Sequence, residues 1–86
     1  MQLFTYLAGL IVPQKYKDVQ NKIEENFKII KISINKEEKL DAIDEIIEQC
    51  DIALSFDDAP HKYRMNMLGI KEEVLKQRSK LLRGDI

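Results

Sequence analysis

Three successive segments of the sequence repeat apolar residues at intervals of three, four or seven, which is the spacing of one buried helical face. The first segment runs from Tyr16 to Ile34, the second from Leu40 to Leu54 and the third from Tyr63 to Leu81. Charged residues fill the other faces, and the connections are short. The pattern predicts an all-α fold: an antiparallel bundle of three main helices near residues 14–34, 36–56 and 59–83, in a single domain spanning residues 1–86.

Local signals suggest where these helices begin and end. The stretch IIKISI at residues 29–34 alternates like a β-strand, but no second strand candidate exists to pair with it, so we retain the helix there. A tight turn is expected around residues 33–36. The residues expected to begin or end helices are Pro13, Asn35 with Glu38, Asp57 or Asp58 with Pro60, and Gly84.

The apolar positions also define an expected core. Cys50 lies within the second apolar face, which predicts a buried and unreactive thiol. Gly69 interrupts the third helix, and we interpret it as a point of close approach to a neighbouring helix in preference to a hinge. The expected core residues are Val19, Ile23, Phe27, Ile30, Leu40, Ile43, Ile47, Cys50, Leu54, Met67, Ile70, Val74 and Leu81.

The first fourteen residues carry no charged side chain, although 34% of the whole chain is charged. The apolar run is shorter than the roughly 20 residues that span a membrane, and it lacks the basic start of a signal peptide. We expect a short helix near residues 3–12 that is apolar on nearly every side. The exposed apolar sides of such a helix must be covered by another protein. A second copy of this chain is the preferred candidate, and a foreign partner is the alternative. The expected interface of a dimer or higher oligomer comprises Leu3, Phe4, Leu7, Leu10 and Ile11.

Charge is divided sharply between the second and third helices. Lys39 is the only cation between Glu37 and Asp58, whereas Glu72 and Glu73 are the only acids between His61 and Arg83. In one interpretation the two sets pair across an antiparallel helix pair and fix which helices meet. In the other, an open acidic face captures a basic protein by electrostatic steering. The acidic stripe, as we call it, comprises Glu37, Asp41, Asp44, Glu48 and Asp51.

No motif for catalysis or cofactor binding is visible in the sequence. A lone cysteine excludes an intramolecular disulfide and fits a reducing, cytoplasmic setting. His61 is the only histidine, which argues against a zinc site. The sequence therefore predicts a small, non-enzymatic protein-interaction module without metal or cofactor: an inhibitor, immunity, antitoxin-like or adaptor protein of phage or plasmid origin.

The basic residues of the third helix suggest two alternative functions. Subunits arranged around shared clefts could sequester a small anionic molecule such as a nucleotide, using Tyr63, Arg64, Lys71 and Arg78. A regulator could instead bind nucleic acid, although the chain is slightly acidic overall, with a formal charge of -1, and no aromatic residue lies among the cations. The candidate phosphate contacts are Arg64, Lys71, Lys76, Arg78, Lys80 and Arg83.

Overall fold

The structure, a computed structural model, describes residues 13–84, which form three α-helices. They are α1 (Gln14–Ile32), α2 (Lys36–Leu54) and α3 (His61–Arg83). No strand occurs within residues 13–84, so the all-α prediction is confirmed, and IIKISI begins as helix. The helix expected at residues 3–12 lies outside the described residues. Each helix differs by about one turn or less from its predicted bounds, as is usual for helix ends.

The middle helix organises the packing, because α2 contacts both α1 and α3 extensively. Two ion pairs show that α2 and α3 are antiparallel: Lys71 meets Asp51, and Arg78, one heptad later, meets Asp44, one heptad earlier. The Tyr16 and Tyr63 rings lie edge to face with centroids 4.9 Å apart. Therefore α1 and α3 begin at the same end of the molecule.

The core lies along these contacts. It includes more residues than the single row of apolar positions predicted for each helix. Seven expected core residues are fully buried, and the other six are partly buried against them. Four buried side chains of α2 are absent from the expected core, because α2 lies between two neighbours and buries a broader face than one row of apolar positions. Tyr16 and Tyr63, the first residues of the predicted apolar faces of α1 and α3, are buried as well and are also absent from it. The buried residues missing from the expected core are Tyr16, Ala42, Ile46, Gln49, Ala53 and Tyr63.

The turn between α1 and α2 follows the predicted capping chemistry. The Asn35 side-chain oxygen accepts a hydrogen bond from the Glu38 backbone N–H at 3.0 Å and caps α2. Ser33 is extended, with φ -75° and ψ 142°, and ends α1. Ile34 is consequently fully exposed, so its assignment to the first apolar face is wrong.

The start of α3 differs from the prediction. Neither Asp57 nor Asp58 caps it, because α3 begins only at His61, after Pro60, and has no side-chain cap. The Asp58 carboxylate instead accepts hydrogen bonds from Lys15 Nζ at 2.8 Å and from the Tyr16 hydroxyl at 3.0 Å. Asp58 thus ties the α2–α3 connection to the start of α1.

These two bonds predict an acid-dependent loss of stability. The bond from Lys15, followed by that from Tyr16, lowers the pKa of the Asp58 carboxyl below its ordinary value of 3.8. A lowered folded-state pKa gives stability above the unfolded pKa that is lost as pH falls through the folded pKa. We expect Asp58→Asn to lower the urea midpoint at pH 7, and the difference to shrink as pH falls below the ordinary carboxyl pKa of 3.8. Asp57→Asn is the control, because it leaves the bonds of Asp58 to Lys15 and Tyr16 in place; an equal loss of stability at pH 7 in the two variants would contradict the assignment.

Gly69 is exposed, and a Cβ built there has no neighbour within 4 Å. The predicted close helix approach at Gly69 is therefore wrong. Because glycine is the poorer helix former, Gly69→Ala should stabilise the protein by about 1 kcal/mol and raise Tm by about 4–8 °C. Gly84→Ala is the control: Gly84 ends α3 with φ 80°, a left-handed conformation that disfavours alanine. Calorimetry should therefore give shifts of opposite sign, and a destabilised Gly69→Ala would contradict this view.

Candidate partner-binding surface

Two members of the acidic stripe face α3. Lys71 Nζ lies 2.7 Å from Asp51 Oδ1, and Arg78 Nε lies 2.9 Å from Asp44 Oδ1. Internal pairing of the opposite charges is thus confirmed at these two positions. All four side chains are at least 30% exposed, so each pair contributes at most about 1 kcal/mol. Their larger effect is to favour one register of α3 on α2.

The other three acids of the stripe point elsewhere. Glu37, Asp41 and Glu48 are exposed and have no ion pair within residues 13–84. Spacings of four and seven place them on one face of α2, a step further from α3 than Asp44 and Asp51. We call these three residues the outer acids. The stripe is therefore divided into two residues that hold the fold and three that face solvent.

The residues proposed to hold an anion are not brought together. Tyr63 is fully buried, and Lys71 and Arg78 are engaged by Asp51 and Asp44. Successive cations of this set are seven residues apart, about 10 Å along the helix. The structure thus distributes these side chains along α3 instead of converging them on one cleft.

Arg64 has a role that sequence reasoning missed. Its guanidinium donates hydrogen bonds to the carbonyl oxygens of Leu54 at 3.0 Å, of Phe56, and of Ala59 at 3.3 Å. Carbonyls at a helix C-terminus lack intrahelical partners, and the planar guanidinium supplies several donors at once. Arg64 therefore caps the C-terminus of α2. Lys71 and Arg78 pair with acidic side chains, whereas Arg64 bonds to backbone carbonyls.

The two remaining side chains with reactive chemistry, Cys50 and His61, lie in different environments. Cys50 is fully buried, as predicted, and burial, followed by the nearby Asp51 charge, raises the pKa of its thiol to about 11. His61 is exposed at the first position of α3. Within residues 13–84 no cluster of His, Cys, Asp and Glu is arranged to hold a metal ion.

A second surface feature was not identified from the sequence. Leu68, Leu75 and Leu82 are 48%, 45% and 54% exposed and recur every seven residues on the outer side of α3. We call these three residues the leucine row. An open depression of about 430 Å³ lies beside Leu75, and three of the candidate nucleic-acid contacts line it together with Glu72 and Ser79: Lys76, Lys80 and Arg83. The seven-residue spacing is visible in the sequence, but the expected core does not include these three leucines and no separate role was predicted for them.

No family model matches the chain, and no match was found among curated proteins or solved structures. No helix within residues 13–84 is long and apolar enough to cross a membrane. The five residues expected at an oligomer interface, Leu3, Phe4, Leu7, Leu10 and Ile11, lie outside the described residues.

Proposed function

We propose that this protein is a small, non-enzymatic, cytoplasmic interaction module that binds a protein partner through the outer acids of α2. The observation that carries the proposal is the division of the acidic stripe. Asp44 and Asp51 are held by α3, whereas Glu37, Asp41 and Glu48 are exposed on one face without an ion pair among residues 13–84.

Three like charges on one helix face repel each other modestly, because residues three or four apart are neighbours on a helix. A partner with a basic surface relieves this repulsion and is drawn in by the field of the carboxylates. Such steering acts mainly on the association rate and weakens as salt increases. The expected partner is therefore a protein with a basic docking surface, such as a nucleic-acid-binding protein or a helical toxin.

The proposed module acts as an oligomer, with an apolar helix at residues 3–12 completing the bundle. One side of such a helix packs on its own bundle, and the other sides meet a second copy. The proposed contacts are Leu3, Phe4, Leu7, Leu10 and Ile11, with Phe4, Leu7 and Ile11 as anchors. This requirement follows from the apolar composition of the segment.

Charge reversal separates binding from folding. A triple variant of the outer acids (Glu37→Lys, Asp41→Lys and Glu48→Lys) should lower stability by only about 1 kcal/mol, mainly because Glu37 is a favourable acid in the first turn of α2. It should nevertheless abolish specific capture of the partner from host lysate. With the captured partner purified, association should slow at least about tenfold at low salt. The control is a triple variant with the same charge change at three exposed acids elsewhere: Asp18→Lys, Glu25→Lys and Glu73→Lys.

A second comparison uses the paired acids. Asp44→Lys with Asp51→Lys should lower stability, because it sets like charges against Arg78 and Lys71. Capture that is equal for the outer-acid variant and the control variant would contradict the proposed surface.

A further inference from the structure

The leucine row lies beside the line along which α3 meets α2. Leu75 follows Lys71 by four positions and precedes Arg78 by three, so it is their neighbour on the surface of α3. Those two cations face α2 through their ion pairs. Each leucine of the row is about half exposed. The leucine row therefore follows the α2 side of the exposed surface of α3.

The outer acids lie on the opposite side of the same line. Glu48 follows Asp44 by four positions and precedes Asp51 by three, and these two aspartates face α3. From α2 to α3 the order across the surface is thus outer acids, ion pairs, leucine row. We call this exposed surface, which lies away from the buried core, the outer face of the α2–α3 pair.

The ion pairs also determine which residues lie at the same level. They are one heptad apart on both helices, and the helices are antiparallel. By this register Glu48 lies level with Leu75 to within about one residue, or ~1.5 Å. Asp41 lies level with Leu82 to the same precision. The outer face thus presents a leucine and a carboxylate side by side, twice, at levels about 10 Å apart.

We propose that the outer face binds an amphipathic helix of the partner protein, with the apolar row of that helix on the leucine row and its Lys or Arg residues on the outer acids. The inference rests on the proposed function and names the secondary structure of its basic partner. A helix fits because residues seven apart recur on one of its faces, as they do in the leucine row. Packed helices lie about 8–10 Å apart, so one helix lying over the α2–α3 line contacts both features.

The charges beyond the leucine row specify the partner helix further. Lys76 and Lys80 lie on the side of Leu75 that faces away from α2, where they line the open depression. Cations on both flanks of the partner's apolar row would therefore be attracted on one side and repelled on the other. The expected partner helix carries its Lys or Arg residues on a single flank, the one that faces α2.

Charge also favours a protein helix over a lipid surface. An anionic membrane would attract Lys76 and Lys80 but repel the outer acids, which face solvent on the same side of the molecule. Glu72 lies within the lining of the depression and would be pressed against the lipid as well. A helix with cations on one flank meets neither obstacle.

Three labelled synthetic peptides test the proposal by fluorescence anisotropy. The first is an alanine-rich helix of about 18 residues, ~27 Å long, with leucines three and four apart on one face and lysines along one flank. The second has serine in place of the leucines, and the third has glutamine in place of the lysines. The protein variants are Leu75→Ser with Leu82→Ser and the outer-acid triple variant. Ile32→Ser with Ile34→Ser is the control, because both isoleucines are exposed and lie outside α2 and α3.

We expect saturable binding of the first peptide, and binding at least about tenfold weaker for each of the other two. The leucine variant should bind the first peptide at least about tenfold more weakly at every salt concentration, because it removes apolar contact. The loss in the outer-acid variant should be largest at low salt and fade as salt rises. The isoleucine control should bind as the unmodified chain does, and circular dichroism verifies that every variant is helical.

Absence of binding, or equal binding by the leucine variant and the isoleucine control, would overturn the proposal. An oligomer that loses subunits in the leucine variant, measured by light scattering, would assign the leucine row to a second copy. Binding to vesicles of equal phosphatidylcholine and phosphatidylserine that is lost in the leucine variant would assign it to a lipid surface. Either result would overturn the proposal. Capture from lysate that depends on the outer acids would stand in each case, so these failures are distinct from failure of the proposed function.

Discussion

Replacing Cys50 with aspartate is expected to lower the free energy of unfolding by about 3–5 kcal/mol, because it leaves an uncompensated charge in the core. Cys50 is fully buried among Ile43, Ile46 and their neighbours. The nearest cation, Lys71, already pairs with Asp51. Since domains of this size are stable by only about 5–10 kcal/mol, the variant should be largely or wholly unfolded at 37 °C.

Urea unfolding followed by circular dichroism measures this effect, with Cys50→Ala as the control. The alanine variant loses packing but adds no charge, and should cost about 1–2 kcal/mol. The free energy of unfolding of the aspartate variant could instead lie within about 1 kcal/mol of that of the alanine variant, which is the size of an ordinary core change. That result would show that position 50 reaches solvent.

The native thiol offers an independent check. Because burial raises the pKa of Cys50 to about 11, the thiolate needed for reaction is scarce at pH 8. We expect labelling by a thiol reagent to be limited by unfolding of the protein. The raised pKa also means that this group stabilises the fold below its ordinary value of 9.0, a contribution that is lost as pH rises toward 11.

Local patterns predicted much of this architecture. The three helices followed from apolar spacing, because burying one helical face requires that spacing whatever the neighbours are. The Asn35 cap followed from a bond between residues three apart. Both features depend on residues close in sequence, where the periodicity is directly readable.

The errors concern contacts between distant residues. Asp58 bonds to Lys15 and Tyr16, more than forty positions away, and Arg64 reaches carbonyls beyond its own helix. Spacing within one helix carries no information about such partners. The predicted close approach at Gly69 was wrong for the same reason. The sequence shows that a side chain is missing there, but it does not show whether a neighbouring helix lies opposite.

The charged surface was predictable only in part. The acidic stripe and the basic residues of α3 were evident as faces, but spacing alone did not separate Asp44 and Asp51 from the outer acids. That separation depends on where α3 lies against α2, which the ion pairs of Lys71 and Arg78 reveal. The leucine row was similarly hidden, because a position bordering a buried face becomes buried or exposed according to the crossing of two helices.

We propose that this chain works as an association module whose apolar first segment, residues 3–12, is covered by another copy. A helix of this length presses only one side onto its own bundle, and its other sides would form an exposed apolar patch in a lone chain. Leu7→Asp places a charge in the middle of that contact, where an unpaired buried charge is strongly unfavourable. We therefore expect it to dissociate the oligomer or cause aggregation while α1, α2 and α3 remain helical.

Light scattering of the chain in detergent-free buffer measures whether it associates. The chain mass is 10.1 kDa, and we expect a uniform particle of at least twice that mass. Leu7→Asp should reduce the particle to one chain or cause it to aggregate. Ile34→Asp, at a fully exposed apolar residue between α1 and α2, controls for a charge placed at an apolar position outside the proposed contact. A uniform monomer of 10.1 kDa across the concentration range would show that residues 3–12 do not mediate association.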